Sequence, residues 1–239
     1  MIRAFLLSGA ALCLAACSPQ TVSDAPKKVT DKLPTQPAAA SGFDQTIAAA
    51  ERNLDVVMRA PLTIPTPKDP GGGYTHETHK ANGFMLYDIG QLYKLTGEKK
   101  YAKFAGKAML DYAEVYPGYG IHPAKKEQSP GRMFWQNLNE SMFLLNVSQT
   151  YDAIKDTLTS EQREKIETDL LRNMADFLSV GAPETFNKVH NHGTWATAAV
   201  GLTGYAIGDD EYVEQALICL LYTSPSPRDQ RGSRMPSSA

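Results

Sequence analysis

From Gly42 onward the apolar residues recur at intervals of three and four, the spacing of an amphipathic α-helix. The clearest stripe advances through Tyr101, Phe104, Ala108 and Tyr112. No segment shows a convincing alternation of period two, the pattern of a half-buried strand. The spacing therefore predicts an all-α chain.

The same spacing predicts seven helices, of which the first, second, third and sixth end at Gly or Pro. They begin near residue 42, run over 75–96, 101–115, 134–154, 159–177 and 194–207, and resume near residue 210. Thr159 and Gln162 form a capping-box pattern at the fifth helix. The fourth helix is predicted to face inward through Leu138 and Met142. The apolar stripe of the sixth helix consists of Trp195, Ala198, Leu202 and Tyr205.

Two helix junctions resemble each other. Gly97 and Gly208 each stand where a helix ends, and a Tyr follows four residues later in both places. Similar junctions are typical of an array of helical hairpins. We expect an incomplete (α/α) toroid or solenoid whose loops form a cleft at one end. The chain contains no phosphate loop and no dinucleotide-binding fingerprint.

Residues 1–17 have the features of a secretion signal, with Arg3 followed by an apolar run too short to span a membrane. Leu14 to Cys17 resembles the bacterial lipobox, in which Cys17 would be lipidated; plain secretion with removal of Cys17 is the alternative. Residues 18–41 hold few large aliphatic residues, which predicts a flexible, disordered tether. Ser18 after the cysteine favours an outer-membrane lipoprotein of the bacterial envelope that faces the periplasm.

The composition changes abruptly at about Ile218, and residues 218–239 are rich in Ser, Pro and Arg. This stretch resembles translated sequencing-adapter read-through, and a natural disordered tail is the alternative. We therefore expect residues 42–217 to be a truncated domain of a longer protein. Because Cys13 lies in the predicted signal and Cys219 in the predicted tail, the folded part is expected to hold no disulfide and no Cys-rich zinc site.

Charge excludes a nucleic-acid binder that acts through bulk electrostatics. The whole chain has a formal charge of −2, and residues 18–217 hold 20 Lys and Arg against 25 Asp and Glu. An anionic ligand must therefore be held by local groups in a cleft.

The strongest candidate site is the segment 185–195, which places Asn191 and His192 at the start of an apolar helix. Unpaired N–H groups at a helix N-terminus attract carboxylates, and a neutral His moves protons near pH 7. These are the candidate catalytic residues. The alternative is that Asn191 caps the helix and His192 is structural.

A second candidate site is the segment 134–140. Gln136, Asn139 and Glu140 fall on one helix face at i, i+3 and i+4. Amides suit sugar hydroxyls, and Trp135 would lie against a sugar ring. We predict that these residues bind a carbohydrate, with an exposed polar face and a core Trp135 as the alternative.

Two glycine-rich or aromatic loops complete the predicted cleft. Tyr74 follows three glycines, and His122 lies in an aromatic loop before Lys125 and Lys126. We predict that Tyr74 and His122 contact the substrate and that the two lysines are exposed to solvent. A metal could in principle use His76 and His79 with Glu77, but no dedicated ligand spacing is present. No metal site is predicted.

Four blocks, at 71–80, 130–141, 150–167 and 177–209, resemble the N-terminal toroid of the oligoalginate lyases, polysaccharide lyase family 17 of the heparinase II/III-like group. The resemblance covers residues 42–217. It implies a helical toroid followed by a β-sandwich that often carries zinc, with no cofactor in the present chain. It also implies exolytic β-elimination on alginate or a related uronate oligosaccharide.

Under this resemblance Asn191 would bind the uronate carboxylate, and His192 would neutralise that carboxylate or act as a base. A Tyr that protonates the leaving O4 and a nearby Arg lie downstream in the family, so the 239-residue chain is expected to be inactive alone. Two alternatives remain. One is a non-catalytic glycan-binding envelope lipoprotein, and the other is a toroid glycoside hydrolase that would need a carboxylate pair such as Glu77 and Glu140.

Overall fold

The structure is a computed structural model that describes residues 41–223. Its α-helices are α1 (Gly42–Val57), α2 (Tyr74–Thr96), α3 (Lys99–Val115), α4 (Asn137–Ile154), α5 (Ser160–Lys165), α6 (Asn173–Ser179), α7 (Pro183–Phe186), α8 (Asn191–Ile207) and α9 (Asp210–Thr223). A π-helical segment, Ile166–Arg172, joins α5 to α6. Residues 41–223 contain no strand, which confirms the all-α prediction. None of these helices has the length and apolar character needed to cross a bilayer.

The helices end where local chemistry predicts. The Thr159 side chain accepts the Gln162 N–H, and the Gln162 side chain accepts the Thr159 N–H, so the predicted capping box is confirmed. Gly97 and Gly208 adopt the left-handed conformation, with φ of 69° and 73°, directly after α2 and α8. Glycine enters this region without a Cβ clash, which is why both helices stop there.

Helix α4 lies at the centre of the packing, against α2 on one side and α8 on the other, and α8 also packs on α9. The largest aromatic side chains with almost no exposed surface are Tyr101, Tyr112, Tyr116, Phe134, Phe143 and Tyr151. Burial of such rings supplies most of the hydrophobic stabilisation of a small helical domain. In the middle of the α4–α8 contact, the buried hydroxyls of Ser148 and Thr203 share a 2.8 Å hydrogen bond.

The apolar stripe predicted for the sixth helix, now α8, does not form the buried face of that helix. Trp195 and Tyr205 are 40% and 70% exposed, and Ala198 is also exposed. The buried face consists of small residues, because α8 approaches its neighbours closely: a Cβ at Gly201 would lie 2.7 Å from the Ala216 Cβ. Small side chains fit the inner face of α8 at this close approach, and the large side chains of Trp195 and Tyr205 lie on its outer face.

Helix α4 begins at Asn137, three residues later than predicted. Residues 132–134 instead form a turn whose N–H groups bind the Glu140 side chain. The predicted apolar side also differs, since Leu138 and Met142 are half-buried while Glu140 is fully buried.

Several predictions concern the ends of the chain. The predicted signal with Cys17, the tether up to residue 40 and the tail after residue 223 lie outside the described residues. Helix α9 continues to Thr223, past the predicted start of the tail at Ile218. Within it Cys219 is buried, and the Thr197 hydroxyl lies 3.3 Å from its sulfur.

Candidate functional site

One end of the helical packing gathers the predicted site residues. The N-termini of α2 and α4 lie close together at this end. The ring of His76, in the first turn of α2, lies 5.1 Å from the ring of Phe134, three residues before α4. The C-terminal end of α3 joins them through the Tyr116 hydroxyl, which donates to Glu140 at 2.8 Å. The N-terminus of α8 lies beside the N-terminus of α4, since the side chains of His192 and Asn137 are in contact. The loop 119–136 lies among these helix ends.

Asn191 and His192 form the start of α8, and His190 caps the helix. The His190 Nδ1 accepts the Gly193 N–H at 3.1 Å. The alternative interpretation, in which Asn191 is the cap, is therefore wrong. Asn191 is exposed, and its Oδ1 accepts the His192 N–H at 3.0 Å. Both side chains thus stand in the first turn of an apolar helix, where the helix dipole favours an anion.

His192 is held by a residue that the sequence did not single out. Its Nδ1 lies 3.0 Å from Oδ1 of Asn137, which is 1% exposed at the start of α4. Partial burial lowers the pKa of His192, and the neighbouring His190 and Lys126 side chains lower it further. The imidazole is therefore neutral at pH 7 and half-buried.

Lys126 belongs to the site, although the sequence suggested a solvated side chain. The backbone N–H of Lys126 donates to the Trp135 carbonyl at 2.8 Å. The side-chain Nζ lies 5.8 Å from the Trp135 ring centroid and 3.5 Å from Gln136 Oε1. Lys126 is half-buried, whereas Lys125 is exposed and pairs with Glu127. A cation beside His192 supplies local attraction for a carboxylate on an acidic chain.

The predicted amide pair is brought together. Gln136 Nε2 donates to Asn139 Oδ1 at 3.0 Å, and both side chains are half-buried. Trp135 is also half-buried, and its Nε1 would lie 2.9 Å from a Cβ at Gly71, so the indole lies against the glycine-rich turn before α2. Tyr74, the first residue of α2, is 65% exposed. These four side chains are accessible, as a carbohydrate contact requires.

The prediction that Glu140 contacts the substrate is wrong, because the side chain is fully buried. It has no exposed surface and accepts the backbone N–H groups of Arg132, Met133 and Phe134 at 3.1–3.2 Å as well as the Tyr116 hydroxyl. Burial raises the pKa of this carboxyl, and the donated hydrogen bonds oppose that shift. Glu140 shapes the turn before α4 from inside. It is no longer a member of a carboxylate pair for hydrolysis.

The prediction that His122 contacts the substrate is also wrong. The side chain is 1% exposed, and its Nδ1 accepts the Ala124 N–H at 3.0 Å. Burial lowers its pKa, as does the charge of His76, while Asp69 opposes the shift. A substrate at the surface does not reach this ring, so His122 supports the loop.

The histidines considered for a metal are buried in α2. His79 Nε2 donates to the Pro65 carbonyl at 2.9 Å, and its Nδ1 accepts the Tyr112 hydroxyl at 3.1 Å. Both ring nitrogens are therefore occupied. Glu77 is exposed and pairs with Lys80. Among residues 41–223, no three His, Cys, Asp or Glu side chains are placed to hold a metal ion.

Comparison with known proteins adds a family match. The model of the family described as alginate lyase matches residues 28–225. An exo-oligoalginate lyase of Saccharophagus degradans is 52% identical over 178 residues, which are 74% of this chain and 24% of that protein. An alginate lyase of Stenotrophomonas maltophilia is 47% identical over 175 residues, or 73% of this chain and 24% of that protein. The chain spans about a quarter of the length of these curated relatives.

Proposed function

Since the chain belongs to the alginate lyase family, we propose that its full-length protein cleaves alginate oligosaccharides and that residues 41–223 carry part of the active site. The reaction is exolytic β-elimination at a uronate, and its support is the 52% identity to an exo-oligoalginate lyase. The helices would form part of an (α/α) toroid. The observation that carries the proposal is the pairing of Asn191 with a neutral His192 in the first turn of α8.

The elimination needs two kinds of help that this end of the molecule offers. A uronate C5 proton becomes acidic once the charge of its carboxylate is stabilised, and Asn191 at the α8 N-terminus can bind that carboxylate. The base takes the C5 proton, and the electron pair of the C5–H bond forms a double bond between C4 and C5. O4 leaves with the electron pair of the C4–O4 bond and takes up a proton from an acid or from water. His192 is either that base or a group that neutralises the carboxylate.

The carbohydrate would lie over the accessible side chains beside this pair. The Trp135 ring offers an apolar face to a sugar, and the Gln136 and Asn139 amides offer donors and acceptors to its hydroxyls. The positive charge of Lys126 attracts the uronate.

The test uses the full-length protein with Asn191→Ala and His192→Ala, each assayed by the ultraviolet absorbance of the unsaturated uronate. We expect kcat to fall about a hundredfold or more, since an oxyanion donor or an acid–base group contributes that much. The midpoint of urea unfolding should change little, because both side chains are partly exposed. Asn187→Ala is the matched control, because Asn187 is an exposed amide in the preceding loop whose side chain donates to the Pro183 carbonyl at 3.0 Å. Wild-type turnover in both site variants would refute the assignment.

Product analysis separates this proposal from the other classes. Elimination leaves one double bond per cleavage, hydrolysis leaves none, and a glycan-binding protein leaves the oligosaccharide intact. We expect the 239-residue chain alone to release no unsaturated product, because it spans a quarter of the relatives' length. Turnover by that chain would contradict this expectation.

We also propose that the protein is an envelope lipoprotein anchored through Cys17 and facing the periplasm. The support is the segment Leu14–Ala15–Ala16–Cys17 after an apolar run. Labelling of the expressed full-length protein with a radioactive fatty acid tests it. The label should appear in the wild type and disappear in Cys17→Ser, and an unlabelled wild type would refute the anchor.

A further inference from the structure

We propose that Asn137 is a positioning residue, which holds His192 as the tautomer with its proton on Nδ1 and the free lone pair on Nε2. The inference rests on the proposed function and deepens it. It decides between the two roles left open for His192.

The argument begins with the 3.0 Å contact between His192 Nδ1 and Asn137 Oδ1. An amide oxygen only accepts hydrogen bonds, so the proton of this bond must reside on Nδ1. A neutral imidazole carries one proton, which leaves Nε2 as an acceptor. Within residues 41–223, Nε2 of His192 has no hydrogen-bond partner.

The structure holds Asn137 rigidly. Its N–H donates to the Ser129 carbonyl at 2.9 Å, and its carbonyl accepts the Ser141 hydroxyl at 2.9 Å. The side chain is 1% exposed. A fixed acceptor at this distance orients the ring as well as selecting the tautomer.

Stability alone does not explain an amide at this position. The Asn137 Nδ2 is buried and has no partner in the part of the chain that the structure describes. A buried donor without an acceptor destabilises the fold, and an apolar side chain would avoid that cost. The contact between Asn137 Oδ1 and His192 Nδ1 explains why an amide stands at this position.

An amide also differs from a carboxylate in what it does to the imidazole. An Asp at residue 137 would stabilise the protonated ring, whereas neutral Asn137 does not. The neighbouring Lys126 ammonium and His190 ring, which face His192, also disfavour the protonated ring. His192 is thus kept as a neutral acceptor.

This arrangement makes His192 a base. Its Nε2 lone pair takes the C5 proton of the uronate, and the electron pair of the C5–H bond forms the C4–C5 double bond. O4 leaves with the electron pair of the C4–O4 bond and takes up a proton from an acid or from water. The ring has no Nε2 proton to donate to the substrate carboxylate. Binding of that carboxylate then falls to Asn191 and the α8 N-terminus.

Nitrogen NMR on the 239-residue chain with labelled histidine tests the tautomer directly, because protonated and unprotonated ring nitrogens resonate far apart. His192→Gln identifies the His192 signals. At neutral pH we expect the wild type to show a protonated Nδ1 and an unprotonated Nε2. A protonated Nε2 would overturn the proposal.

Three variants sharpen this test. Asn137→Leu should release the ring into a mixture of tautomers, and Asn137→Asp should keep the ring protonated to higher pH. Asn146→Leu, a half-buried amide on the same helix, is the matched control and should leave the His192 signals unchanged. Wild-type signals in Asn137→Leu would also overturn the proposal. If that variant does not fold, the wild-type spectrum and Asn137→Asp still decide.

In the full-length protein, Asn137→Leu should lower kcat about 10- to 100-fold with a smaller change in KM. Asn137→Asp should move the acidic limb of the kcat profile to higher pH. The two proposals fail separately. An Nδ1 proton without elimination activity would refute the proposed function alone, and elimination activity with an Nε2 proton would refute the positioning role alone.

Discussion

Acidification should destabilise this protein through His79. The ring has no exposed surface, its Nε2 donates to the Pro65 carbonyl, and its Nδ1 accepts the Tyr112 hydroxyl, which itself accepts the Asn82 amide at 2.8 Å. A second ring proton would meet a hydroxyl already turned toward it. Burial lowers the pKa of His79 to about 4, and the charges of His76 and His122 act in the same direction.

The magnitude follows from proton linkage. The unfolded chain binds a proton at His79 near its ordinary pKa of 6.5, whereas the folded chain binds it only near 4. The contribution to stability is complete above pH 6.5 and is lost as the pH falls toward 4, because protons then favour the unfolded state. Relative to neutral pH, the loss is about 1 kcal/mol at pH ~5.5 and about 2–3 kcal/mol at pH ~4.5.

The assay is urea unfolding of the wild type and of His79→Gln at about pH 7.5, 5.5 and 4.5. Glutamine offers a donor and an acceptor at a spacing like that of the two ring nitrogens, and it does not titrate. Other histidines titrate in both proteins, so the difference in unfolding free energy isolates His79. That difference should move by about 2–3 kcal/mol across the range in favour of the variant. A constant difference would refute the reasoning.

Three further substitutions have expected outcomes. Glu140→Ala should cost about 3–5 kcal/mol in urea unfolding, because three backbone N–H groups lose their buried acceptor, and an unchanged midpoint would contradict this. Gly131→Ala should cost about 2–3 kcal/mol, since its Cβ would lie 2.3 Å from the Phe134 carbonyl oxygen; a neutral effect would show that the turn can shift freely. Thr159→Ala should cost about 1 kcal/mol through the lost capping box and should leave turnover of the full-length protein unchanged, which a drop in kcat would contradict.

The sequence predicted those parts of the fold that depend on neighbours along the chain. Capping by Thr159 and the stops at Gly97 and Gly208 are set within a few residues, so their patterns are readable. The inner face of α8 is set by helices elsewhere in the chain. Small residues such as Gly201 carry little hydrophobic signal, and the exposed Trp195 and Tyr205 dominated the pattern instead.

The candidate site divides in the same way. Asn191 and His192 are adjacent, so one local motif was enough to place them together. Asn137 was missed because its partner lies 55 residues away, and nothing near it announces that contact. Glu140 was misassigned for a related reason, since its bond with Tyr116 spans 24 residues and turns an apparent surface carboxylate inward.

The hydroxyl contact in the middle of the helices sets the register of the site. Ser148 lies eleven positions after Asn137 on α4, and Thr203 lies eleven positions after His192 on α8. The two helices therefore run side by side in the same direction, with cross-links about 16 Å apart along their axes. Sliding one helix by a single residue would break both hydrogen bonds together, so the position of the imidazole depends on a contact about three helical turns away.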